Sequence, residues 1–155
     1  MTDADLLETV VHHATRNVTD GGGPFAAAVV REGRVVAEGV NRVTRDLDPT
    51  AHAEVVAIRT ACRALGDHVL SGCLLVSSCE PCPLCLSAAL WARIDRVVYA
   101  ADRDDAARGG FDDRAFYALF DRPRDTWDLR VEQHRVEAAR EPFDAWLASP
   151  DRVDY

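Results

Sequence analysis

The stretch Ser78-Cys79-Glu80-Pro81-Cys82-Pro83-Leu84-Cys85 (SCEPCPLC) joins an apolar run, which predicts a β-strand over residues 73–78, to a segment that predicts a helix over residues 83–92. Pro83 suits the first helical position, so Cys82 is expected at the helix cap and Cys85 in the first turn. Both sulfur atoms would then lie near the positive end of the helix dipole, which favours the thiolate form that binds metals. This strand-loop-helix unit predicts an α/β fold whose functional site lies beyond the carboxyl end of a strand.

Strand and helix patterns alternate along the rest of the chain. They predict a helix over 3–18 with Thr2 as its cap, strands over 25–31, 34–40, 96–100 and 129–134, helices over 48–66, 112–120 and 142–146, and a tail over 149–155. Glu32-Gly33, between the first two of these strands, is a hairpin signal. The alternation predicts one α/β layered domain over residues 1–155, in which crossovers make part of the sheet parallel.

The composition is that of a soluble globular domain, with 48% hydrophobic and 28% charged residues in a chain of 155. No apolar run of ~18 residues occurs, and the segment MTDADLLETV (1–10) has no basic region typical of a signal peptide, so a cytoplasmic location without a membrane span is expected. In that reducing compartment, clustered cysteines are expected as metal ligands or catalytic groups. The net charge of −8 disfavours nucleic acid as a partner. The absence of lysine excludes Schiff-base chemistry.

A second motif, Thr50-Ala51-His52-Ala53-Glu54 (TAHAE), is expected near the start of another helix. The His52 imidazole and the thiolates of Cys82 and Cys85 make a donor set typical of zinc, with bonds of ~2.3 Å to sulfur and ~2.0 Å to nitrogen. Three protein ligands leave the fourth tetrahedral position open, which is the pattern of catalytic zinc. Glu54 can then lie beside the water that the metal activates, take its proton and deliver it to a leaving amine.

Other interpretations of the cysteines remain open at this point. A structural zinc site would need a fourth ligand, for which Cys79 is available, and two cysteines in a C-x-x-C spacing can also form a redox pair. Neither alternative uses Glu54, and the redox pair does not use His52 either. The joint pattern of H-x-E followed by P-C-x-x-C therefore favours a zinc-dependent deaminase of nucleobases.

Six features extend this pattern along the chain: GGGPF (21–25), DPTAHAEVVAIR (48–59), SSCEPCPLCLSAALWAR (77–93), GFDD (110–113), PFDAW (142–146) and a terminal tyrosine. Through them the sequence resembles the cytidine-deaminase-like superfamily and, within it, the small bacterial guanine deaminases. The resemblance implies a three-layer sandwich with a central, mixed, five-stranded sheet and helices on both faces. It also implies one Zn²⁺ ion per chain and the hydrolysis of guanine to xanthine and ammonia, with activated water attacking the carbon that bears the amino group and Glu54 as the proton shuttle.

The substrate contacts that follow from this interpretation are six residues: Phe25, Asn41, Ala53, Trp91, Asp113 and Tyr155. Asn41 can both donate to and accept from a purine, Asp113 can accept from its N–H edge, and Phe25 and Trp91 can form apolar walls. From the pattern alone, the two aromatic residues could equally be core residues, and Asp112 or Asp113 could be a helix cap. In the guanine deaminases the C-terminal segment covers the active site, in some of them from a partner subunit. We therefore expect a homodimer in which the 149–155 tail closes an active site.

The tRNA adenosine deaminases share part of the resemblance, in DPTAHAEVVAIR, PCPLC and the segment RIDRVVY (93–99). The sequence also has Ala26 and Ser87 where guanine deaminases usually have glycine. Substrates related to guanine therefore remain open, namely guanosine or another nucleoside, an aminated triazine or pyrimidine, and the adenosine of a tRNA. The remaining alternative is a zinc-stabilised binding module without catalysis, which predicts no role for Glu54.

Overall fold

Four strands form the sheet in the computed structural model, which describes residues 1–155. They are β1 (Ala26–Arg31), β2 (Arg34–Val40), β3 (Cys73–Cys79) and β4 (Arg96–Ala101). Their order across the sheet is β2-β1-β3-β4. Strand β1 runs antiparallel to both β2 and β3, whereas β4 runs parallel to β3. The mixed sheet predicted from the sequence is therefore confirmed.

The α-helices are α1 (Asp3–Thr19), α2 (Val43–Asp46), α3 (Ala53–Leu65), α4 (Pro83–Trp91), α5 (Arg103–Arg108), α6 (Arg114–Phe120) and α7 (Glu141–Ala148). Two short 3-10 helices, Arg124–Thr126 and Glu137–Arg140, lie between α6 and α7 in the sequence. The chain divides into two units, Met1–Tyr117 and Ala118–Tyr155. None of the helices combines the length and the apolar character that a membrane crossing requires.

The two faces of the sheet pack against different helices. One core lies against α1, and its buried side chains are Leu6, Val10, Ala14, Ala26, Ala28, Val30 and Val76. The other core lies against α3 and α4, and its buried side chains include Ala27, Val29, Ala57, Ile58, Leu75 and Ala89. Because successive residues of a strand point to opposite faces, β1 contributes to both cores. Helices thus cover both faces of the sheet, as expected for a three-layer fold.

Strand β2 and helix α3 approach each other closely at Gly39. A Cβ atom at this position would lie 2.3 Å from the carbonyl oxygen of Ala53 and 2.5 Å from the backbone nitrogen of Ala57. Because both contacts are to backbone, any larger residue would push the first turn of α3 away from the sheet. Gly39 therefore sets the position of the helix start that carries His52 and Glu54.

The start of α3 corrects the predicted helix over 48–66. The helix begins at Ala53, with His52 as its N-cap residue, and Asp48 does not cap it. The Asp48 carboxylate instead accepts hydrogen bonds from the backbone N–H and the hydroxyl of Thr50, at 2.8 and 2.7 Å. A side chain that bonds its own backbone two residues later forms a turn, which competes with helix initiation.

The predicted strand over 129–134 is not formed. This segment has no regular secondary structure, and the side chains of Leu129 and Val131 are 66% and 47% exposed. Its alternation of apolar and polar residues is a strand pattern, but a strand also needs a neighbour for its backbone hydrogen bonds. None of the four strands pairs with this segment, so the sheet has four strands and not five. The α/β fold class is unaffected.

The second unit contains two pairs of aromatic rings in edge-to-face contact. Phe120 and Trp127 have ring centres 5.5 Å apart, and Trp146 and Tyr155 have ring centres 6.1 Å apart. Trp146 belongs to α7, which is three residues longer than the helix predicted over 142–146. The last seven residues, 149–155, contain no helix or strand.

Candidate active site and metal centre

Two helix starts meet beside the sheet. His52 is the N-cap residue of α3, and Cys82 is the N-cap residue of α4, as the position of Pro83 predicts. Neither side chain forms a capping hydrogen bond to its own helix. Both side chains are therefore available to a common ligand. Cys85 lies in the first turn of α4 and is completely buried.

The three candidate metal ligands form a compact triangle. Nδ1 of His52 lies 3.5 Å from Sγ of Cys82 and 3.4 Å from Sγ of Cys85, and the two sulfur atoms are 3.6 Å apart. A tetrahedral zinc ion with bonds of ~2.3 Å to sulfur and ~2.0 Å to nitrogen needs donor atoms about 3.5–3.8 Å apart. The donors thus have both the chemistry and the spacing that zinc requires. His52, Cys82 and Cys85 therefore form the candidate metal site.

Cys79 does not belong to this triangle. Its Sγ atom lies 3.7 Å from the carbonyl oxygen of Asp102, and burial raises the pKa of its thiol to about 11. The group of donor atoms that lie within 4.8 Å of one another contains His52, Cys82 and Cys85 but not Cys79. This geometry therefore disfavours a structural zinc site with four protein ligands, in which Cys79 would be the fourth.

The triangle favours a thiolate even before a metal binds. Hydrogen bonding to Cys85, and then to the His52 ring, lowers the pKa of Cys82 to about 4. The same contact with Cys82 raises the pKa of His52. The start of α4 adds the positive end of a helix dipole. An anionic sulfur beside an imidazole is a suitable precursor for binding a divalent cation.

Glu54 lies directly against the triangle. The residue is 6% exposed, and its burial raises the pKa of the carboxyl group. Oε1 accepts a hydrogen bond of 3.2 Å from the Ser77 hydroxyl, and Oε2 lies 3.3 Å from Sγ of Cys85. A carboxyl group held this close to a metal site is placed to take a proton from water bound there and to release it again.

Asp113 has an oxygen that the protein leaves without a partner. Its Oδ1 atom is buried and makes no hydrogen bond, and burial, followed by the charge of Cys82, raises the pKa of the carboxyl group. The neighbouring Asp112 is different, because its carboxylate is bound on both oxygens by Arg114 at 2.8 Å. Of the two aspartates, Asp113 is therefore the one available to a ligand near the triangle.

Asn41 and Phe25 lie together where the β-hairpin ends. Asn41 follows β2 directly, is 9% exposed, and donates its backbone N–H to the carbonyl of Phe25 over 3.0 Å. Its Oδ1 atom accepts from the backbone N–H of Val43 at 3.3 Å. The ring of Phe25 meets Phe111 edge to face, with centres 5.0 Å apart.

The other three predicted substrate contacts have different surroundings. Trp91 ends α4 and is 62% exposed. Ala53 begins α3, and its side chain is completely buried. Tyr155, which is 72% exposed, belongs to the second unit. The substrate roles of these three residues stay predictions.

The sequence of the chain matches one described protein family. Residues 1–101 match the cytidine and deoxycytidylate deaminase zinc-binding region. The chain belongs to this family of zinc deaminases. Guanine deaminase of Bacillus subtilis (strain 168) is 44% identical over 156 residues, and the match covers 100% of both proteins. An X-ray structure of guanine deaminase from Bacillus subtilis has a TM-score of 0.96 and covers 100% of this chain and 99% of that chain.

More distant members of the deaminase family match as well. The tRNA-specific adenosine deaminase of Aquifex aeolicus (strain VF5) is 34% identical over 136 residues, which are 88% of this chain and 87% of that protein. A structure of guanine deaminase from Nitrosomonas europaea has a TM-score of 0.68 at 36% identity and covers 73% of this chain. The family resemblance, the zinc cofactor and the deaminase class predicted from the sequence are therefore confirmed.

Two polar residues that contact the candidate site residues of this deaminase were not identified from the sequence. Ser77, on β3, contacts Glu54, and Asn17, in α1, contacts the backbone of Asn41. Both are almost completely buried, at 2% and 3% exposure. Each could have been found as a polar residue in an apolar setting, Ser77 within an apolar strand and Asn17 on the apolar face of a helix. Buried polar groups need hydrogen-bond partners, so such residues indicate a specific contact.

Proposed function

We propose that this deaminase hydrolyses guanine to xanthine and ammonia. The observation that carries the choice of guanine is the similarity to guanine deaminase over 100% of both chains. That similarity includes residues 102–155, which the family description does not cover. The three-donor triangle and the buried carboxyl group of Glu54 supply the chemistry of such a reaction.

His52, Cys82 and Cys85 would hold the zinc ion, whose contribution when bound is to activate water as a nucleophile at neutral pH. In the reaction a C–O bond forms at C2 of guanine, the bond from C2 to the exocyclic nitrogen breaks, and the nitrogen leaves as ammonia. Glu54 takes a proton from the attacking water and delivers it to the leaving nitrogen. Its position supports this role, because Oε2 lies 3.3 Å from Sγ of Cys85, one of the proposed metal ligands.

Asn41 and Asp113 are proposed to orient the purine ring. The amide oxygen of Asn41 already accepts from Val43 N–H, which leaves the Nδ2 group to donate to an acceptor on the substrate. The unpartnered Oδ1 of Asp113 can accept from an N–H group of the ring. Phe25, Trp91 and the backbone of Ala53 complete the proposed contacts. A flat base held by one donor and one acceptor has a defined orientation.

We further propose a homodimer in which the tail over 149–155 closes an active site, either that of its own chain or that of the partner. Supporting the dimer is the apolar surface of α4, which presents Leu84, Leu86 and Leu90 at 41%, 36% and 71% exposure. Contiguous apolar residues on a helix surface are typical of interfaces between proteins. The terminal residue, Tyr155, combines a ring and a hydroxyl group, which suits a cover over a flat, polar base.

The experiment is a panel of amines offered to the zinc-loaded protein, with release of ammonia as the readout. The panel contains guanine, guanosine, adenine, cytosine, an aminated triazine and a tRNA with adenosine at the wobble position. The control is Glu54→Gln, which keeps the size and hydrogen bonding of the side chain but cannot carry the proton. We expect guanine to be the preferred substrate and Glu54→Gln to reduce turnover by roughly 10²–10⁴-fold. Turnover of the tRNA but not of guanine would contradict the proposal.

A further inference from the structure

Asn17 is a buried amide on the apolar face of α1. The other buried residues of this helix are Leu6, Val10 and Ala14, whereas Asn17 is 3% exposed and lies in the last turn. Placing an amide in such surroundings costs free energy unless its hydrogen-bonding groups are satisfied. Asparagine at this position therefore calls for a reason other than packing.

The Asn17 amide connects two loops that carry candidate substrate contacts. Nδ2 donates to the carbonyl oxygen of Asn41 over 2.9 Å and to the carbonyl oxygen of Gly23 over 2.8 Å. Gly23 in turn accepts from Phe25 N–H at 2.8 Å, and the Phe25 carbonyl accepts from Asn41 N–H at 3.0 Å. One side chain thus uses both of its N–H groups to hold the backbone around Asn41 and Phe25.

Glycines make room for both amides. A Cβ atom at Gly22 would lie 2.3 Å from Nδ2 of Asn17, and a Cβ atom at Gly23 would lie 2.9 Å from Oδ1 of Asn41. Contacts this short are excluded for any other residue unless the amides move. The GGGPF segment, which the proposed chemistry does not otherwise use beyond Phe25, is therefore shaped around the side chains of Asn17 and Asn41.

The consequence is a defined direction for the Asn41 side chain. Its backbone carbonyl is held by Asn17, its backbone N–H by Phe25 and its Oδ1 atom by Val43. Only its Nδ2 group makes no hydrogen bond within the protein. We propose that Asn17 is a positioning residue for substrate binding, which fixes Asn41 so that this N–H group meets the purine. The inference rests on the proposed function, in which Asn41 contacts the base.

The test is a double-mutant cycle between Asn17→Ala and Asn41→Ala, with kcat and KM for guanine measured for all four proteins. A ring that is held less accurately should reduce kcat/KM by about 10- to 100-fold in Asn17→Ala, mainly through KM, with zinc content unchanged. In the Asn41→Ala background, Asn17→Ala should cause a much smaller loss than in the wild type, because the residue through which it mainly acts is already removed and only its hydrogen bond to Gly23, before Phe25, remains. Thr15→Ala, an exposed change in the same helix, is the control and should have wild-type kinetics.

Three results would overturn the inference: losses that multiply in the double variant, wild-type KM in Asn17→Ala with only a lower Tm, or wild-type kinetics in Asn41→Ala. Should Asn17→Ala fail to fold, Gly22→Ala takes its place in the cycle, since the added methyl group displaces the Asn17 amide without removing it. Wild-type protein that does not turn over guanine would contradict the proposed function as well as this inference. Wild-type turnover with independent effects of the two variants contradicts this inference alone.

Discussion

The hydroxyl group of Ser77 donates a 3.2 Å hydrogen bond to Oε1 of Glu54, and both side chains are buried. The bond joins the end of β3 to the first turn of α3. These two elements also bring the metal ligands together, since β3 leads into Cys82 and α3 begins after His52. The orientation of the proposed proton shuttle is therefore set by the same strand and helix that build the metal site.

Ser77→Ala should lower kcat while zinc content and KM stay close to wild type. A hydrogen bond to a charged group contributes about 1.5–3 kcal/mol, so a roughly tenfold or larger loss of kcat is expected if the carboxylate loses its orientation. Steady-state kinetics with guanine and metal analysis of the same sample measure both quantities.

The control for this prediction is the adjacent serine on the same strand. Ser78 is also buried, but its Oγ atom accepts from the backbone N–H of Ala26 at 3.0 Å and points to the opposite face of the sheet. Ser78→Ala should therefore reduce stability and leave kcat unchanged. Equal losses of kcat in the two variants would show that Ser77 acts through general stability.

Removing both cysteines of the triangle should abolish zinc binding. The variant Cys82→Ser, Cys85→Ser loses both thiolates and keeps only the His52 imidazole, which is too few ligands for a stable site. Metal analysis after dialysis should give one zinc per chain for the wild type and none for the variant. Cys79→Ser is the matched control, because this buried thiol faces Asp102 and should not affect zinc content. Undiminished zinc in the double variant would end the assignment.

Much of this metal centre could be predicted from local sequence. Pro83 identifies the start of α4 and hence the positions of Cys82 and Cys85. The start of α3 was placed wrongly, because Asp48-Pro49 has the composition of a helix start and only the hydrogen bonds to Thr50 show that it forms a turn. The prediction of a strand over 129–134 was wrong for a related reason. An alternation of apolar and polar residues does not show whether a neighbouring strand is present to pair with.

The hydrogen bonds made by Asn17 and Ser77 could not be predicted from local sequence, for a different reason. Asn17 and Asn41 are 24 residues apart, and Ser77 and Glu54 are 23 residues apart. A buried polar residue signals that a partner exists, but only the packed fold identifies it. The same holds for the oxygen of Asp113, whose lack of a partner is a property of its surroundings.

We expect Tyr117 to stabilise the protein by holding α6 against the loop that precedes Cys82. Its hydroxyl donates to the carbonyl oxygen of Pro81, and its ring lies 3.8 Å from the guanidinium carbon of Arg103. Tyr117→Phe keeps the ring and removes one hydrogen bond, so urea unfolding should show a loss of about 1 kcal/mol. Because Asp113 lies at the start of the same helix, KM for guanine should also rise.

A control variant separates the effect of Tyr117→Phe from that of removing a tyrosine hydroxyl group elsewhere on the surface. Tyr99→Phe removes a hydroxyl group from an exposed tyrosine on β4 and serves as the control. It should change neither unfolding nor KM. A Tyr117→Phe protein that is as stable as the wild type would show that the contact with Pro81 is not maintained in solution.

Deletion of residues 149–155 tests the proposed closing of the active site by the tail. The removed segment has no helix or strand, and Arg152 within it donates a 2.8 Å hydrogen bond to the carbonyl oxygen of Leu147 in α7. Its loss should therefore leave zinc content and circular dichroism unchanged. Guanine turnover should fall sharply, because a cover that excludes water strengthens the contacts that orient a small, flat base. Full turnover in the truncated protein would show that the tail has no part in closing the site.

Mixing two inactive chains distinguishes a tail that serves its own site from one that serves the partner's. One chain carries Glu54→Gln with an intact tail, and the other keeps Glu54 but lacks residues 149–155. If tails are exchanged within a homodimer, co-expression should produce mixed dimers in which the Glu54 site is covered by the tail of the Glu54→Gln chain, and turnover should reappear. A Glu54→Gln chain that also lacks the tail is the control and should restore nothing. Mixed dimers that form, as shown by affinity tags on both chains, but remain inactive would contradict exchange and assign each tail to its own chain's site.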